Sequence, residues 1–387
     1  MSAVLDIREI KAMMQARIEE YCREMLPKGR REAGQWASSN PITQDYKKTA
    51  ALKVTLSGSS AGAWICWRSG AKGDAIGLAA YLNGGDPKDH KFGRQCAASW
   101  LGVSSMKPEE RREARDRAEK TRAAQEKDAA KQRERKLKAA KELYASAPES
   151  WNEWVKAGSG VLMPVQKHFI AYLAARGIAI DQIKHLDPLT FRFSPATEYW
   201  RLAEWRKNAK GYMEKTKAGP EYPTVHSAIR GKFGQGVACH CTFLDPLLPQ
   251  KAPVSPPKLM RGEALGGLIS ISRGPTDKNH WEPQKSGLVA IAEGIETALT
   301  IAEAIPEARV WAAGSLANFR HCPVDLECVG EIVLCRDNNE GNAQAQKLFD
   351  SCLQELETHG KPVTVINPPD NGTGEVDDFN DLAMMET

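Results

Sequence analysis

The feature that most constrains the fold is an apolar run that ends in a glutamate and a glycine and then continues as a helical pattern. The run Ala-Ile-Ala-Glu-Gly-Ile-Glu-Thr-Ala-Leu at residues 290–299 places Glu293 and Gly294 at this junction. Strands that pass directly into helices are typical of α/β folds with a parallel sheet. The junction therefore predicts an acidic side chain at the carboxyl end of a parallel strand.

Two further apolar runs lead to acidic or amide side chains. Residues 332–335 end just before Asp337 and Asn339, and a second helical pattern follows. Residues 363–366 lead through a loop rich in proline and glycine to Asp378. In an open parallel sheet the carboxyl ends of the strands face one crevice, so the three junctions are expected to gather their acids around one point.

Gathered carboxylates repel one another unless a cation lies between them. Magnesium takes oxygen ligands and is commonly shared between protein carboxylates and substrate phosphates, which indicates phosphoryl or nucleotidyl chemistry. The alternative is that each acid lies in an ordinary loop and caps a helix by accepting backbone hydrogen bonds.

The order Glu-Gly, Asp-x-Asn, Asp-Phe-Asn-Asp over residues 285–387 resembles the Toprim domain of bacterial-type DNA primases, type IA and II topoisomerases and some nucleases. The resemblance implies catalytic roles for Glu293, Asp337 and Asp378. It also implies that Mg²⁺ or Mn²⁺ is held by a set drawn from Glu293, Asp337, Asn339, Asp378 and Asp381. The second family motif is usually Asp-x-Asp, and the uncharged Asn339 is expected to weaken metal binding or to remove a second ion.

The N-terminal region carries a second resemblance. The segment Trp-Ile-Cys-Trp-Arg-Ser-Gly-Ala-Lys-Gly-Asp at residues 64–74 is similar to the zinc-ribbon template-binding domain of bacterial and phage primases. Ser69 stands at the second cysteine position, and the earlier ligand pair is replaced around residues 36–40. A lone Cys66 cannot make a tetrahedral site, so zinc is not expected here. A small β-sheet with a buried cysteine remains the alternative.

Aromatic faces and positive charge bind single strands without sequence preference. The N-terminal region contains a small set of aromatic and basic residues that fits this description. The predicted contacts with single-stranded DNA are Trp64, Trp67, Arg68 and Lys72. Towards the catalytic part, the resemblance to primases continues between residues 150 and 284. The resemblance implies that Lys258 and Arg261 bind the nucleotide or template. Arg230 and Lys232 follow a predicted strand and are expected to line the same groove.

The pattern as a whole predicts an α+β and α/β multidomain chain. The expected parts are a small β-rich, degenerate zinc-ribbon-like module (1–103), a charged helical linker (104–148), a primase-type α+β half-domain (149–284) and a Rossmann-like parallel Toprim sheet (285–387). The linker is rich in Ala, Glu, Lys, Arg and Gln and lacks glycine between residues 108 and 144.

Composition limits the other possibilities. No stretch of 18 or more apolar residues suggests a membrane span, and the charged N-terminus does not resemble a signal peptide. The nine cysteines include no Cys-x-x-Cys pair, which favours reduced thiols in the cytoplasm. Neighbouring residues of a strand point to opposite faces, so Cys239, His240 and Cys241 are expected to be core residues rather than metal ligands.

These observations predict a DNA primase of phage or mobile-element type that polymerises ribonucleoside triphosphates on a single-stranded DNA template. No P-loop is present, so helicase activity is expected from a separate partner. The alternatives are a Toprim nuclease and a catalytically decayed Toprim protein that acts as a nucleic-acid or replisome-binding module.

Overall fold

The fold was determined as a computed structural model that describes residues 6–32, 34–42, 50–58, 60–103, 108–151, 164–208, 213–337 and 342–368. The chain forms two compact units, Met1–Gln132 (unit 1) and Arg133–Thr387 (unit 2). The unit boundary falls within a long helix, α5 (Pro108–Ser146).

Unit 1 contains a small antiparallel sheet with helices packed on it. Its strands follow the chain order β1 (Arg30–Glu32), β2 (Gln35–Ser38), β3 (Leu52–Thr55), β4 (Trp64–Cys66) and β5 (Lys72–Gly73). The helices before α5 are α1 (Ile7–Ala16), α2 (Ile18–Met25), α3 (Ala75–Leu82) and α4 (His90–Trp100). The boundary between α1 and α2 falls at Arg17, whose backbone has φ −118° and ψ 20°.

The start of α3 shows how the sequence determines local structure in unit 1. The Asp74 side chain accepts hydrogen bonds from the backbone N–H groups of Ile76 and Gly77, at 3.0 and 2.9 Å. These bonds satisfy two of the donors that every helix N-terminus leaves free. Asp74 is therefore the N-cap of α3.

Unit 2 contains a first, antiparallel sheet. Its strands are β6 (Glu149–Ser150), β7 (Phe191–Glu198), β10 (Glu221–Arg230), β11 (Gly236–Phe243) and β12 (Lys258–Gly262), in the spatial order β12-β11-β10-β7-β6. The helix α6 (Pro164–Ala174) packs on this sheet through Phe169, which contacts the rings of Phe191 and Phe193. Between β7 and β10 the chain forms a separate pair, β8 (Glu204–Lys207) and β9 (Met213–Lys217).

The second sheet of unit 2 is mostly parallel. Its strands are β13 (Ile269–Ser272), β14 (Gly287–Ala292), β15 (Arg309–Ala312), β16 (Val329–Cys335) and β17 (Val363–Ile366), in the order β13-β15-β14-β16-β17. Only β13 is antiparallel to its neighbour. The helices α7 (Ile295–Ala304) and α8 (Ala343–Glu357) follow β14 and β16.

One hydrophobic core joins the two sheets of unit 2. It includes Phe191 and Ile229 of the first sheet, Ala290 and Val310 of the second, and Leu299 of α7, all almost completely buried. Burial of apolar surface contributes roughly 25 cal/mol per Å², so this shared core couples the folding of the two sheets. None of the described helices is both long enough and apolar enough to span a membrane.

A buried charge cluster reinforces this core. The Asp187 carboxylate is 1% exposed and lies 3.2 Å from the Arg273 guanidinium and 3.6 Å from that of Arg230. It also accepts a hydrogen bond from the Leu189 backbone N–H at 2.9 Å. Removing one partner of a buried ion pair leaves uncompensated charge in the protein interior.

We expect Asp187→Asn to lower the free energy of unfolding by about 3–5 kcal/mol, because both guanidinium groups would lose their counter-charge. Asp325→Asn is the matched control, since Asp325 pairs with Lys232 and both side chains are substantially exposed. An exposed pair contributes about 1 kcal/mol or less. Urea unfolding curves measure both values, and equal shifts in the two variants would contradict the structural role of Asp187.

Candidate active site

Glu293 and Asp337 lie at the same edge of the second sheet. β14 and β16 are parallel neighbours, and Ala292 pairs with Cys335, so both acids follow directly from adjacent strand ends. Neighbouring strands are about 4.8 Å apart. Burial and the negative charge of Asp337 raise the pKa of the Cys335 thiol to about 12. The sequence-based expectation that these two junctions converge agrees with this arrangement.

The third predicted junction follows the next strand of the same sheet. β17 is parallel to β16, and Ile366 pairs with Cys335 at the same edge. Asp378 and Asp381 belong to residues 369–387 and lie outside the described residues, as does Asn339. Their participation in the site stays a prediction.

Glu293 is half-buried at this edge. Burial raises the pKa of its carboxyl group, while a backbone hydrogen bond from Leu316 and the positive charge of Lys258 act in the opposite direction. The Gly314 backbone N–H donates to the Glu293 carbonyl oxygen at 2.9 Å and fixes the main chain here. A desolvated carboxyl beside a second carboxylate supplies hard oxygen ligands, so this donor set fits a divalent cation such as Mg²⁺.

A second glutamate in the same motif organises the basic side of the site. Glu296 lies in the first turn of α7 and is 6% exposed. Its two carboxylate oxygens accept from the ammonium groups of Lys251 and Lys258, each at 2.9 Å. The Tyr172 hydroxyl donates to the same carboxylate at 2.8 Å. Glu296 thus connects the first sheet and α6 to the helix that follows Glu293.

The electrostatic state of this group follows from its surroundings. Burial raises the pKa of Glu296, but the charges and hydrogen bonds of Lys258 and Lys251 outweigh it and hold the pKa well below the usual value. Burial, together with the nearby charge of Lys258, lowers the pKa of Lys251. We infer that the Glu296 carboxylate is charged and holds Lys251 and Lys258 beside the acidic edge, the sheet edge that carries Glu293 and Asp337.

His240 extends the same face of the first sheet. His240 pairs with Met260, and Thr242 pairs with Lys258, so these four side chains share one face of β11 and β12. Burial and the charge of Lys258 lower the pKa of His240 to about 4. The imidazole is therefore neutral near pH 7 and adds no charge to the site.

The sequence analysis did not identify Glu296, Lys251, Tyr172 or His240. Glu296 carried a usable signal, because it is a second acid three residues after Glu293, in the first turn of the predicted helix. Lys251 and Tyr172 come from distant segments and gave no local signal. Only the tertiary fold brings them to Glu296.

The other predicted basic residues do not join Lys258. Arg261 lies on the opposite face of β12, with its guanidinium 4.5 Å from the Trp200 ring centroid. Arg230 is buried against Asp187, and Lys232 pairs with Asp325. Arg230 also lies at the other end of the sheet from Lys258. Its neighbour Ile229 pairs with Ala238 of β11, and Ala238 pairs with Gly262 of β12. Gly262 is four residues, or about 14 Å, from Lys258 along β12. These contacts separate Arg261 and Arg230 from Lys258, and the nucleotide-binding roles of all four residues stay predictions.

In unit 1, the predicted nucleic-acid residues divide into buried and exposed side chains. Trp64 is 4% exposed, packs on Tyr81 at 4.7 Å between ring centroids, and donates its indole N–H to the Asp74 carbonyl. It is a core residue and offers no free face to a base. Trp67 is 70% exposed, and Arg68 and Lys72 are also exposed.

The region that resembles zinc-ribbon ligands forms a hydrogen-bonded cluster. The buried Asn40 amide donates to the Cys66 sulfur at 3.2 Å and to the Tyr81 hydroxyl at 2.6 Å. The Ser69 hydroxyl lies 3.4 Å from the Tyr81 hydroxyl. Burial raises the pKa of Cys66, but hydrogen bonds from Ser69, Arg68 and Asn40 outweigh it and give a net lowering.

A further cluster of possible metal ligands lies in unit 2, on the face of the first sheet opposite His240. Cys239 and Cys241 are two residues apart on β11 and therefore share a face, and His226 of β10 pairs with Cys241. The Cys239 sulfur is 4.0 Å from the Cys241 sulfur and 3.9 Å from His226 Nδ1. The sequence analysis considered His240, whereas the structure groups His226 with the two thiols.

This cluster also has a hydrogen-bonding explanation. The two nitrogens of His226 already bond to the Leu143 carbonyl at 3.0 Å and to the Thr197 hydroxyl at 2.9 Å. The hydrogen bond with Cys241 lowers the pKa of Cys239, and burial raises it. Together with the hydrogen bond and charge of His226, the lowering prevails and brings the pKa to about 6. Structural zinc sites usually have four ligands, and the described residues bring three to this place.

Comparison with known families agrees with the acidic edge. Residues 288–387 match the family described as the Toprim domain. This part of the chain is a Toprim domain. Residues 153–271 match a domain of unknown function, DUF7146. No curated protein matches the chain.

Several solved structures are similar to the chain at low identity. The Aquifex aeolicus primase, with zinc-binding and RNA polymerase domains, is 14% identical, with 98% of this chain and 82% of that chain covered and a TM-score of 0.35. The DnaG primase catalytic domain bound to ssDNA is 15% identical (66% and 78% covered, TM-score 0.40). The E. coli primase catalytic core is 16% identical (58% and 71% covered, TM-score 0.36).

We expect Glu296→Gln to lower the free energy of unfolding, at the lower end of about 3–5 kcal/mol, because two partly buried lysines would lose their shared counter-charge. The contribution of Glu296 is fully present above its ordinary pKa of 4.5 and is lost as the pH falls through its lower folded-state pKa. The difference from wild type should therefore shrink below pH 4.5.

Denaturation at several pH values measures this difference, with the exposed Glu307→Gln as control for the same chemical change. A deficit that stays constant down to the acid transition would show that Glu296 acts by packing and not by charge.

We expect a zinc-selective chelator to leave the melting temperature of the chain unchanged, because the polar groups of both cysteine clusters are hydrogen-bonded to protein atoms. Thermal unfolding with and without the chelator, and the zinc content of the purified chain, test this. If zinc approaches one ion per chain, Cys66→Ser and Cys239→Ser distinguish which cluster holds it, and the expectation fails.

Proposed function

We propose that the chain is a DNA primase that synthesises short RNA primers on single-stranded DNA by metal-dependent nucleotidyl transfer. The observation that carries this proposal is the meeting of two carboxylates of the Toprim sheet with a lysine-bearing face of the preceding sheet. Glu293 and Asp337 supply the acidic edge, and Lys258 and Lys251 are held beside it by Glu296. A nucleoside triphosphate needs both kinds of group.

The proposed cofactor is Mg²⁺ or Mn²⁺. Glu293 and Asp337 would hold it among the described residues, and Asn339, Asp378 and Asp381 are further proposed ligands. Toprim domains typically bind Mg²⁺. When bound, the ion supplies charge neutralisation for the polyphosphate.

The side chains of the site have separate roles in the transfer. Lys258 and Lys251 would meet the phosphate oxygens, which carry increasing negative charge as pyrophosphate leaves. The 3′-hydroxyl oxygen forms the new bond to the α-phosphorus, and the bond from that phosphorus to pyrophosphate breaks. Glu293, whose pKa is raised by burial, would accept the hydroxyl proton.

The arrangement supports polymerisation over the decayed alternative, because the acids lie with basic side chains beside them. The proposed partners are a single-stranded DNA template, ribonucleoside triphosphates and a separate replicative helicase. Cytoplasmic location and a phage or mobile-element origin also belong to the proposal.

The test is incorporation of labelled ribonucleotides on single-stranded DNA, with Mg²⁺ and then with Mn²⁺. We expect short RNA products from the wild type, a fall of about 10²–10⁴-fold in Glu293→Gln, and loss of products in Asp337→Ala. Asp350→Asn, an exposed carboxylate of α8, is the control and should leave the rate unchanged.

The outcome also separates the alternatives. Cleavage of the template that depends on Glu293 would replace the proposal with a nuclease. Absence of both products and cleavage, with single-strand binding retained, would replace it with a binding module. A sharp rise in synthesis in Asn339→Asp would show that the native site is limited by metal affinity.

A further inference from the structure

The pair of strands β8 and β9, called here the ribbon, is an isolated two-stranded sheet. Every residue of both strands is exposed. A two-stranded hairpin is marginally stable alone in water, and a fully exposed one buries little apolar surface of its own. A surface of this kind is suited to contact with something outside the chain.

The two faces of the ribbon differ in chemistry. On one face Trp205 pairs with Lys215, and Lys207 pairs with Met213. On the other, Glu204 pairs with Lys217 and Arg206 with Glu214, so acids and bases alternate. The Glu204–Lys217 ion pair, at 3.3 Å, shows that this second face neutralises its own charge.

The first face is aromatic and basic. Trp205 and Met213 are 46% and 57% exposed, and the Lys215 ammonium lies 5.7 Å from the Trp205 ring centroid. Lys215 is anchored by Glu198 at 2.6 Å, whereas Lys207 pairs with no carboxylate of the described residues. The face therefore presents an indole ring between two ammonium groups and carries no acid of its own.

The ribbon also has a defined position relative to the acidic site. It follows β7, and its base is held by Tyr199, whose backbone N–H donates to the Pro220 carbonyl at 2.7 Å and whose hydroxyl donates to the Pro256 carbonyl at 3.0 Å. Pro256 precedes β12, which begins with Lys258. The ribbon thus leaves the first sheet at the same end as Lys258.

We propose that the Trp205 face of the ribbon binds single-stranded nucleic acid, with a base stacked on the indole and phosphates contacted by Lys207 and Lys215. An exposed aromatic face beside positive charge matches how single strands are bound without sequence preference. Paired bases offer no open face to Trp205, so an unpaired strand is the ligand. We assign the bound nucleic acid as the template for the site of Glu293 and Asp337, and this assignment rests on the proposed function.

The test uses the full chain and a fluorescently labelled oligo-dT, with dissociation constants measured by anisotropy at several salt concentrations. We expect Trp205→Ala to weaken binding by about 5- to 150-fold, since one base–aromatic stack is lost, and Trp205→Phe to restore much of it. Lys207→Gln should reduce the slope of log K against log salt by about 0.7.

Lys217→Gln is the matched control, because it removes the same charge from the opposite face of the same ribbon. It should bind like the wild type. All four variants change exposed side chains, and equal circular dichroism spectra will show that the fold is intact. Wild-type affinity in Trp205→Ala, or equal losses in Lys207→Gln and Lys217→Gln, would overturn the proposal.

Two further measurements separate this inference from the proposed function. The same binding series in Glu293→Gln should give the same pattern, because binding by the ribbon does not need the chemical step. Loss of primer synthesis with an intact Trp205 effect would refute the primase and leave the ribbon site. Equal affinity for a blunt duplex, or binding only to an acidic protein partner, would refute the ribbon site itself.

Discussion

The arrangement of unit 2 around the acidic sheet edge depends on the carboxylate of Glu296. This carboxylate lies in the first turn of α7. It binds Tyr172 of α6, Lys251 in the segment before β12, and Lys258, the first residue of β12. Three segments that are distant in sequence, around Tyr172, residues 251–258 and Glu296, are fixed by one charged group at hydrogen-bond distances. Without a cation on each oxygen, a carboxylate this deeply buried would be costly to keep ionised. The lysines and the acid therefore hold one another in place.

The same interaction gives the site its division of charge. Glu296 belongs to the motif that also supplies Glu293, so the acid that binds lysines and the acid at the sheet edge are three residues apart. The helical turn directs Glu296 back to the first sheet, while Glu293 remains at the end of β14. Positive and negative groups thus lie side by side without neutralising one another completely. Under the proposed function, both would contact a polyphosphate and its metal ion.

The acidic edge was predictable because it depends on local patterns. Apolar runs followed by an acid and a helix determine strand, junction and helix within about ten residues, and parallel sheets gather such junctions at one edge. The basic partners were only partly predictable. Lys258 was found by its motif, but Arg261 and Arg230 looked equivalent to it in the sequence. The register of a strand determines which face and which end of the sheet each residue occupies. Tertiary packing determines that register.

The alternation along β11 has one more consequence. His240 and Thr242 face the acidic site, while Cys239 and Cys241 face a separate cluster with Tyr199 and Phe243. One strand thus serves two unlike environments, and the period of two separates them. Inserting or deleting a single residue within it would place thiols beside the lysines and an imidazole among the aromatic rings. The length of this strand is therefore constrained by both environments at once.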